Sequence, residues 1–213
     1  MTGLAGFRRL DLAVGPGVLI PRPETELVAG KAMELLPPSG ILVDAGAGSG
    51  AIALSVADER PDATVIATEL SPGALEWARR NVELTGLSVT LLEGDLLTPL
   101  EGVQGGLLGR IDVVVSNPPY VSWAERDLLP AEVVEHEPQE ALFATQDGIG
   151  AIARLIDESM QWLSPGGHLV MEIGERHGDE VRALLSDAAY EDPEVLPDLS
   201  GRQRMAVGRR PQS

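Results

Sequence analysis

Short apolar segments that alternate with helix-like segments are the feature that most constrains the fold of this chain. Ile41–Ala45, Ala63–Thr68 and Ile111–Ser116 have the length and the aliphatic content of strands. Strands without a polar face are typical of a parallel sheet that helices cover on both sides. We therefore predict an α/β fold with a Rossmann-like, doubly wound and mostly parallel sheet of seven strands.

Proline, glycine and capping residues place the other elements of this sheet. Ser71 is a suitable N-cap for a helix that starts at Pro72, and Pro165-Gly166-Gly167 is predicted to turn the chain into a later strand. Helices are predicted over Glu24–Leu36, Ala51–Asp58, Pro72–Leu84, Ile149–Leu163 and Gly178–Ala188, and further strands over Ser88–Leu92, His168–Ile173, Glu194–Leu196 and Arg204–Gly208.

The N-terminal segment precedes this alternation. Gly15-Pro16-Gly17 predicts the turn of a β-hairpin between Phe7–Val14 and Val18–Ile20. We therefore divide the chain into an N-terminal segment over residues 1–23, which contains the hairpin, and a single α/β domain over residues 24–213.

Composition excludes several kinds of site. The chain has no cysteine, which excludes disulfides, thiolate metal sites and cysteine nucleophiles, and its three scattered histidines do not indicate a metal. The formal net charge of -17 argues against non-specific nucleic-acid binding, although a local basic patch would still allow a nucleic-acid substrate. Neither a signal peptide nor an apolar run of ~20 residues is present, so a cytoplasmic protein is expected.

A glycine-rich loop over residues 46–50 follows the first apolar strand and opens a helix. Such a loop lets the backbone lie close to a ligand, and on its own it also fits the phosphates of NAD. Asp44, just before the glycines, would oppose a pyrophosphate and favours a ligand with an ammonium and a sulfonium group. The predicted ligand is therefore S-adenosylmethionine.

Two further acids follow the next two strands. Glu69 is placed to accept ribose hydroxyls, and Asp95 is placed to accept an adenine amino group with Leu96 against the ring. Three acids at successive strand ends on one rim predict a cofactor site. Its predicted residues are Asp44, Gly46, Ala47, Gly48, Ser49, Gly50, Glu69, Asp95, Leu96 and Asn117.

Ser116-Asn117-Pro118-Pro119-Tyr120 directly follows the fourth strand. An amide nitrogen is a poor nucleophile because its lone pair is delocalised into the carbonyl. Two acceptors that hold its hydrogens, the Asn117 side-chain oxygen and the Pro118 carbonyl, would aim that lone pair at an electrophile, while Tyr120 offers a stacking face. We therefore predict Asn117, Pro118 and Tyr120 as catalytic residues in methyl transfer to a planar nitrogen, without a metal.

Three segments and this motif carry a resemblance to a known family. Asn117 to Tyr120 resembles the Asn-Pro-Pro-Tyr motif of methyltransferases that act on planar nitrogens. Val18–Glu26, which reads Val-Leu-Ile-Pro-Arg-Pro-Glu-Thr-Glu, resembles the N-terminal signature of the HemK/PrmC family. Glu137–Leu142 and Asp198–Arg204 are similar to the post-catalytic loop and the closing segment of that family.

The resemblance implies a class I methyltransferase that uses S-adenosylmethionine, leaves S-adenosylhomocysteine, and methylates the Gly-Gly-Gln glutamine of class 1 peptide chain release factors. Members usually carry a helical domain that grips the release factor. Only six residues precede Phe7, so the sequence without that domain is expected to be either a truncated chain or a short member that finds its substrate differently. A monomer is expected. The substrate-binding residues implied are Arg22, Pro23, Asn117, Pro118, Pro119 and Tyr120.

Two other hypotheses stay open on the sequence alone. An adenine-amino methyltransferase of nucleic acid shares the Asn-Pro-Pro-Tyr motif, but the acidic charge and the lack of a basic recognition segment count against it. A cofactor-binding module without catalytic activity would also keep the glycine loop. Intact Asn117 and Tyr120 argue against that module.

Overall fold

The structure is a computed structural model that describes residues 3–128, 138, 143–144 and 148–212. In these residues there are five α-helices and eleven strands; the helices and the seven strands of the main sheet follow the order predicted, and two short strands at Val121–Ser122 and Phe143–Ala144 were not predicted. The helices are α1 (Pro23–Leu35), α2 (Ala51–Glu59), α3 (Pro72–Thr85), α4 (Gly150–Trp162) and α5 (Gly178–Asp187), and the strands are β1 (Leu4–Phe7), β2 (Leu10–Ala13), β3 (Ile41–Ala45), β4 (Thr64–Glu69), β5 (Thr90–Glu93), β6 (Ile111–Ser116), β7 (Val121–Ser122), β8 (Phe143–Ala144), β9 (Leu163–Glu172), β10 (Glu191–Pro197) and β11 (Gln203–Arg209).

Seven of these strands form one sheet in the order β10-β11-β9-β6-β3-β4-β5. Strands β3 to β6 and β9 pair in parallel, while β11 runs antiparallel to both β9 and β10. The predicted seven-stranded, mostly parallel sheet is confirmed. The chain runs outward from β3 through β4 to β5 and then returns to β6 on the other side of β3. Such a reversal opens a crevice at the carboxyl ends of the strands, where ligands bind in sheets of this kind.

Apolar side chains on both faces of the sheet explain the uninterrupted strand sequences. Val113 and Val115 of β6 belong to one buried cluster with residues of α1 and α2, whereas Val114 between them belongs to a second cluster with residues of α4 and α5. Neighbouring side chains of a strand point to opposite faces, so a strand covered on both sides needs apolar residues at every position.

The N-terminal hairpin exists, but its position differs from the prediction. It pairs β1 with β2 through a turn at Arg8 and Arg9, and Val18–Ile20 is not a strand. Arg8 has a φ of 51°, which is unfavourable for a side chain with a Cβ, and its guanidinium holds the turn by bonding Glu59. The turn depends on this long-range contact, which local turn propensity does not reveal.

The Gly15-Pro16-Gly17 segment follows the hairpin. Trp77 of α3 packs against Gly15 and donates its indole N–H to the Pro16 carbonyl at 3.2 Å. The segment thus anchors the chain to α3 before it reaches the carboxyl edge of the sheet.

Strand β9 begins earlier than predicted. The turn predicted at Pro165-Gly166-Gly167 is an irregularity inside the strand, where the register with β6 shifts between the Ile111–Leu163 pair and the Val113–His168 pair. A Cβ at Gly167 would lie within 3.1 Å of three backbone carbonyls, so glycine permits the close approach there.

None of the helices in the described part of the chain combines the length and apolarity that a membrane span requires.

Candidate active site

A cleft of about 460 Å³ opens at the carboxyl edge of the sheet, where the strand order reverses. The segments that follow β3, β4, β5 and β6 line it, together with residues from Gly17 to Thr25 on one side and the start of α4 on the other. All the predicted cofactor residues lie in its wall except Gly50, which is directly behind the loop as the N-cap of α2. The sheet topology therefore brings the predicted loops into one cavity.

The glycine loop forms the floor of this cleft. Its backbone N–H groups at Gly46 and Ala47 donate to the Thr68 carbonyl at 2.9 and 3.0 Å, which ties β3 to β4. Gly46, Gly48 and Gly50 all have φ between 57° and 84°, the left-handed region that glycine adopts without strain. A Cβ added at Gly46 would meet nothing within 4 Å, so open space for a ligand lies above the loop.

Asp44 presents a buried carboxylate at the base of the cleft. Its Oδ2 accepts the Ala53 N–H at 3.0 Å, while Oδ1 has no hydrogen-bond partner in the described protein. Burial raises the pKa of Asp44, the Ala53 hydrogen bond lowers it and the nearby Glu69 charge raises it, so that together they place it at about 7. An unpaired, partly protonated carboxylate in a ligand cleft suits a cationic group, because a nearby positive charge favours the ionised form that burial disfavours.

Glu69 stabilises the glycine loop directly. Its Oε2 accepts the Gly48 N–H at 2.7 Å and its Oε1 accepts the Ser71 N–H at 2.8 Å. Each carboxylate oxygen has a second lone pair, so these bonds leave acceptor capacity toward the cleft. Its predicted role toward ribose hydroxyls stays a prediction.

Asp95 and Leu96 border the cleft after β5. Asp95 Oδ2 forms an ion pair with Arg154 of α4 at 2.9 Å, and both side chains are about half exposed. Leu96 adopts a φ of 44° and lies against the buried cluster on the α4 side of the sheet. Arg154 was not predicted to line the cleft, because only the fold brings α4 to this rim.

The strand exit after β6 forms the part of the cleft wall next to the glycine loop, because β6 pairs with β3. Asn117, Pro118 and Pro119 line the cleft. Asn117 Nδ2 donates to Thr25 Oγ1 at 3.2 Å, and in the described residues no donor contacts the amide oxygen of Asn117. This arrangement leaves the amide oxygen of Asn117 free to accept a hydrogen bond.

Tyr120 is placed differently from the other residues of its motif. It is not among the residues that line the cleft, and its hydroxyl donates to Glu172 Oε1 at 3.0 Å. Burial, followed by the Glu172 charge, raises the pKa of Tyr120 well above its ordinary value. Glu172 thus links Tyr120 to Thr25, which lines the cleft. The role of Tyr120 as a stacking face stays a prediction.

The N-terminal signature contributes other residues than those predicted. Pro21 and Thr25 line the cleft, whereas Arg22 and Pro23 are not among its lining residues and form the N-cap and first residue of α1. Thr25 was not predicted, although it lies within the Val18–Glu26 segment.

Glu172, at the end of β9, is a third residue near the site that was not predicted, after Arg154 and Thr25. It is 1% exposed and accepts hydrogen bonds from Thr25 and Tyr120. It is an acid at the end of an apolar strand, as Asp44 and Glu69 are, and that pattern was available in the sequence.

In the residues that the structure describes, no group of three or more histidine, cysteine or acidic side chains is arranged to hold a metal ion. The similarity noted over Glu137–Leu142 falls outside the described residues except at Pro138, which lines the cleft.

Comparison with known proteins gives the family. The family model described as "Methyltransferase small domain" matches residues 26–144. A release factor glutamine methyltransferase of Streptomyces coelicolor is 42% identical over 217 residues, which cover 99% of this chain and 74% of the relative. Proteins of the same name from Moorella thermoacetica and Salmonella typhimurium are 43% and 38% identical, covering 99% and 98% of this chain and 74% of each relative.

The chain belongs to the release factor glutamine methyltransferase family. Membership in this family confirms the assignment that the sequence motifs suggested and the predicted methyltransferase class.

Solved structures support the fold of this family member. A methyltransferase from Pyrococcus furiosus aligns with a TM-score of 0.70 at 20% identity, covering 95% of this chain and 89% of that one. The hMettl16 catalytic domain aligns with a TM-score of 0.71 at 14% identity, covering 96% and 76%. At these identities the likeness concerns the fold alone, which is that of a methyltransferase.

Proposed function

We propose that this chain transfers the methyl group of S-adenosylmethionine to the side-chain amide nitrogen of a glutamine in a protein, and that this glutamine belongs to the Gly-Gly-Gln loop of class 1 peptide chain release factors. The observation that carries the proposal is Asn117 in the cleft wall, with its amide NH2 group bonded to Thr25 and no donor of the described residues on its amide oxygen. Relatives that cover 99% of the chain are named for this reaction.

The cleft residues fit S-adenosylmethionine. The open space above Gly46 allows close backbone approach, and the unpaired Asp44 oxygen suits a cationic ligand. Asp95 and Leu96 at the rim provide an acceptor and an apolar surface for adenine. When bound, S-adenosylmethionine supplies a methyl group on a sulfonium leaving group, so the protein needs neither a metal nor a strong base.

The residues after β6 then have a positioning task. A glutamine amide whose two N–H groups donate to Asn117 Oδ1 and to the Pro118 carbonyl is held in one orientation, with the face of its nitrogen turned toward the cofactor half of the cleft. Proline fixes φ and stiffens the carbonyl that it carries. Fixed acceptors also stabilise the positive charge that develops on the nitrogen, because their dipoles need no reorganisation during the reaction.

Proton removal requires no dedicated base in this scheme. An N-alkylated amide nitrogen that has become cationic is strongly acidic, so the proton leaves readily to water after transfer. The buried carboxylate of Glu172 contacts Thr25 and Tyr120 and is not among the cleft-lining residues, which leaves it outside the proton path.

A methyl-transfer assay tests the proposal. The protein is incubated with methyl-labelled S-adenosylmethionine and intact release factor, release factor whose loop glutamine is replaced by alanine, or DNA. We expect label on the intact release factor alone. Label on the alanine variant would exclude the loop glutamine as the acceptor, and label on DNA would support the adenine-amino alternative.

A matched control separates chemistry from binding. Heat-denatured enzyme and the Asn117→Ala variant are assayed in parallel, and cofactor binding is measured by calorimetry. Cofactor binding by the wild-type protein with no transfer to any acceptor would contradict the proposal and favour the non-catalytic module.

A further inference from the structure

Three segments that are far apart in the sequence meet at one buried carboxylate. Thr25 Oγ1, at the start of α1, donates to Glu172 Oε2 at 2.6 Å across 147 residues of sequence. Tyr120, after β6, donates to the other oxygen of Glu172 at 3.0 Å. Asn117 Nδ2 in turn donates to Thr25 Oγ1 at 3.2 Å. The strand exit that contacts the substrate is therefore linked through Thr25 to the end of β9.

The direction of these bonds follows from the chemistry of the groups. A hydroxyl has one hydrogen, and a carboxylate only accepts, so the Thr25 hydrogen must point to Glu172. The side of Thr25 Oγ1 that faces Asn117 is then a lone pair. Only the NH2 group of the Asn117 amide can bond a lone pair, and its oxygen must therefore face away from Thr25.

Burial strengthens these hydrogen bonds. Thr25 is 4% exposed and Glu172 is 1% exposed, so water does not compete for either group. Reversing the Asn117 amide would set its oxygen against the Thr25 lone pair and leave buried polar groups unpaired, which is costly in a protein interior.

Several neighbours of Glu172 favour its charged form against the effect of burial. Burial raises the pKa of Glu172 above its ordinary value and the nearby Glu24 charge adds to this, while the Thr25 and Tyr120 hydrogen bonds and the Arg204 charge lower it. Arg204 lies on β11, and its Nε is 3.8 Å from Asp198 Oδ2. Both residues belong to the Asp198–Arg204 segment, so the closing segment also contributes to this cluster.

We infer that Thr25 is a positioning residue: with Glu172 behind it, it locks the Asn117 amide in the orientation whose oxygen accepts a hydrogen from the substrate amide. The inference rests on the proposed function for the identity of the substrate. It assigns to the N-terminal signature a role in aligning the reacting nitrogen, through one hydroxyl group.

Two substitutions at the same position test this role. Thr25→Val keeps the shape and removes the hydroxyl, whereas Thr25→Ser keeps the hydroxyl. We expect turnover on the release factor to fall about tenfold in Thr25→Val, the scale of one lost hydrogen bond, and to stay within about threefold of wild type in Thr25→Ser. S-adenosylmethionine affinity should change little in either variant. Thr90→Val, on the exposed edge of β5, is the matched control and should behave as wild type.

A double-mutant cycle shows whether Thr25 acts through Asn117. If it does, Thr25→Val has no further effect on turnover once Asn117 is replaced by alanine. Equal losses in the wild-type and Asn117→Ala backgrounds would overturn the inference, as would full turnover in Thr25→Val. Should Thr25→Val fail to fold, Thr25→Ala removes the same hydroxyl and takes its place in the cycle.

A readout without turnover separates this inference from the proposed function. The side-chain amide signals of Asn117, assigned in NMR spectra by their loss in Asn117→Ala, should exchange with water more slowly in wild type and Thr25→Ser than in Thr25→Val. Equal exchange rates of the Asn117 side-chain amide in all three proteins would overturn the inference that Thr25 holds this amide in one orientation. An enzyme that shows this protection but does not methylate release factor would contradict only the proposed substrate.

Discussion

The two halves of the cleft are built by different means. The half proposed to bind the cofactor, which comprises the glycine loop, Asp44 and Glu69, uses backbone and acids that each lie at the end of their own strand, and Glu69 accepts from Gly48 across only 21 residues. The half proposed to bind the substrate, around Asn117, depends on side chains that meet across 92 and 147 residues, at the Asn117–Thr25 and Thr25–Glu172 contacts. We therefore expect changes in the first half to alter cofactor affinity and changes in the second half to alter turnover.

Asn117→Ala should give the largest effect and the clearest separation. Turnover should fall by ~100-fold or more, the scale of losing one aligned polar group in a transition state. Cofactor affinity should be largely retained, because the glycine loop, Asp44 and Glu69 are unchanged. Steady-state kinetics and calorimetry measure the two quantities. Unchanged turnover would refute the role of Asn117, and a matching loss of affinity would remove the division between the halves.

Asp44 should make the stability of the ligand-free protein depend on pH. The pKa of Asp44 is about 7 in the folded protein and near its ordinary value of 3.8 when unfolded, so the folded state holds the proton more tightly. The stabilisation is full below the unfolded pKa and is lost as pH rises through about 7. We expect a loss of roughly 1–2 kcal/mol between pH 5 and pH 7. Denaturant titrations at several pH values should show that the free energy of unfolding depends less on pH in Asp44→Asn than in wild type. An equal pH dependence in both would contradict the raised pKa of Asp44.

The same carboxylate should govern cofactor affinity. A cationic ligand favours the ionised form of Asp44, so S-adenosylmethionine affinity should weaken as pH falls below about 7, by at most about tenfold per pH unit. Asp44→Asn should bind about tenfold more weakly near neutral pH and lose most of this dependence. Calorimetry across the range measures both. In Asp44→Asn, turnover at saturating cofactor should change less than cofactor affinity. A larger change in turnover than in affinity would contradict the division of the cleft into a cofactor half and a substrate half.

Arg154→Ala should have the smallest effect. Its pair with Asp95 is about half exposed, and such ion pairs contribute about 0–1 kcal/mol. We expect cofactor affinity within about threefold of wild type and little change in thermal stability. A loss of tenfold or more would show that Arg154 contacts the ligand and belongs to the cofactor half.

The same contrast explains how much the sequence predicts. Apolar strands and the glycine loop are local patterns, so the seven-stranded sheet and the position of the cofactor residues along it follow from the printed sequence. The Arg8–Arg9 turn was misplaced because it depends on Glu59, a contact 51 residues away. Thr25 was missed for the same reason, since it meets Glu172 only when α1 and β9 pack together. Glu172 itself follows a local pattern, an acid at the end of an apolar strand, that the sequence does show.

Tyr120 shows the limit of a motif read by residue type. An aromatic ring after two prolines predicts a stacking face, yet the fold also offers its hydroxyl a buried acceptor at Glu172. The contact between Tyr120 and Glu172 depends on the parallel pairing of β6 with β9, which the residue types alone do not show.

The most direct test is a crystal structure with S-adenosylhomocysteine and a Gly-Gly-Gln peptide. We predict the homocysteine end over the glycine loop, and the glutamine amide nitrogen within hydrogen-bond distance, about 2.7–3.2 Å, of both Asn117 Oδ1 and the Pro118 carbonyl. A glutamine bound away from Asn117, or an Asn117 amide that turns its NH2 group toward the peptide, would contradict the account.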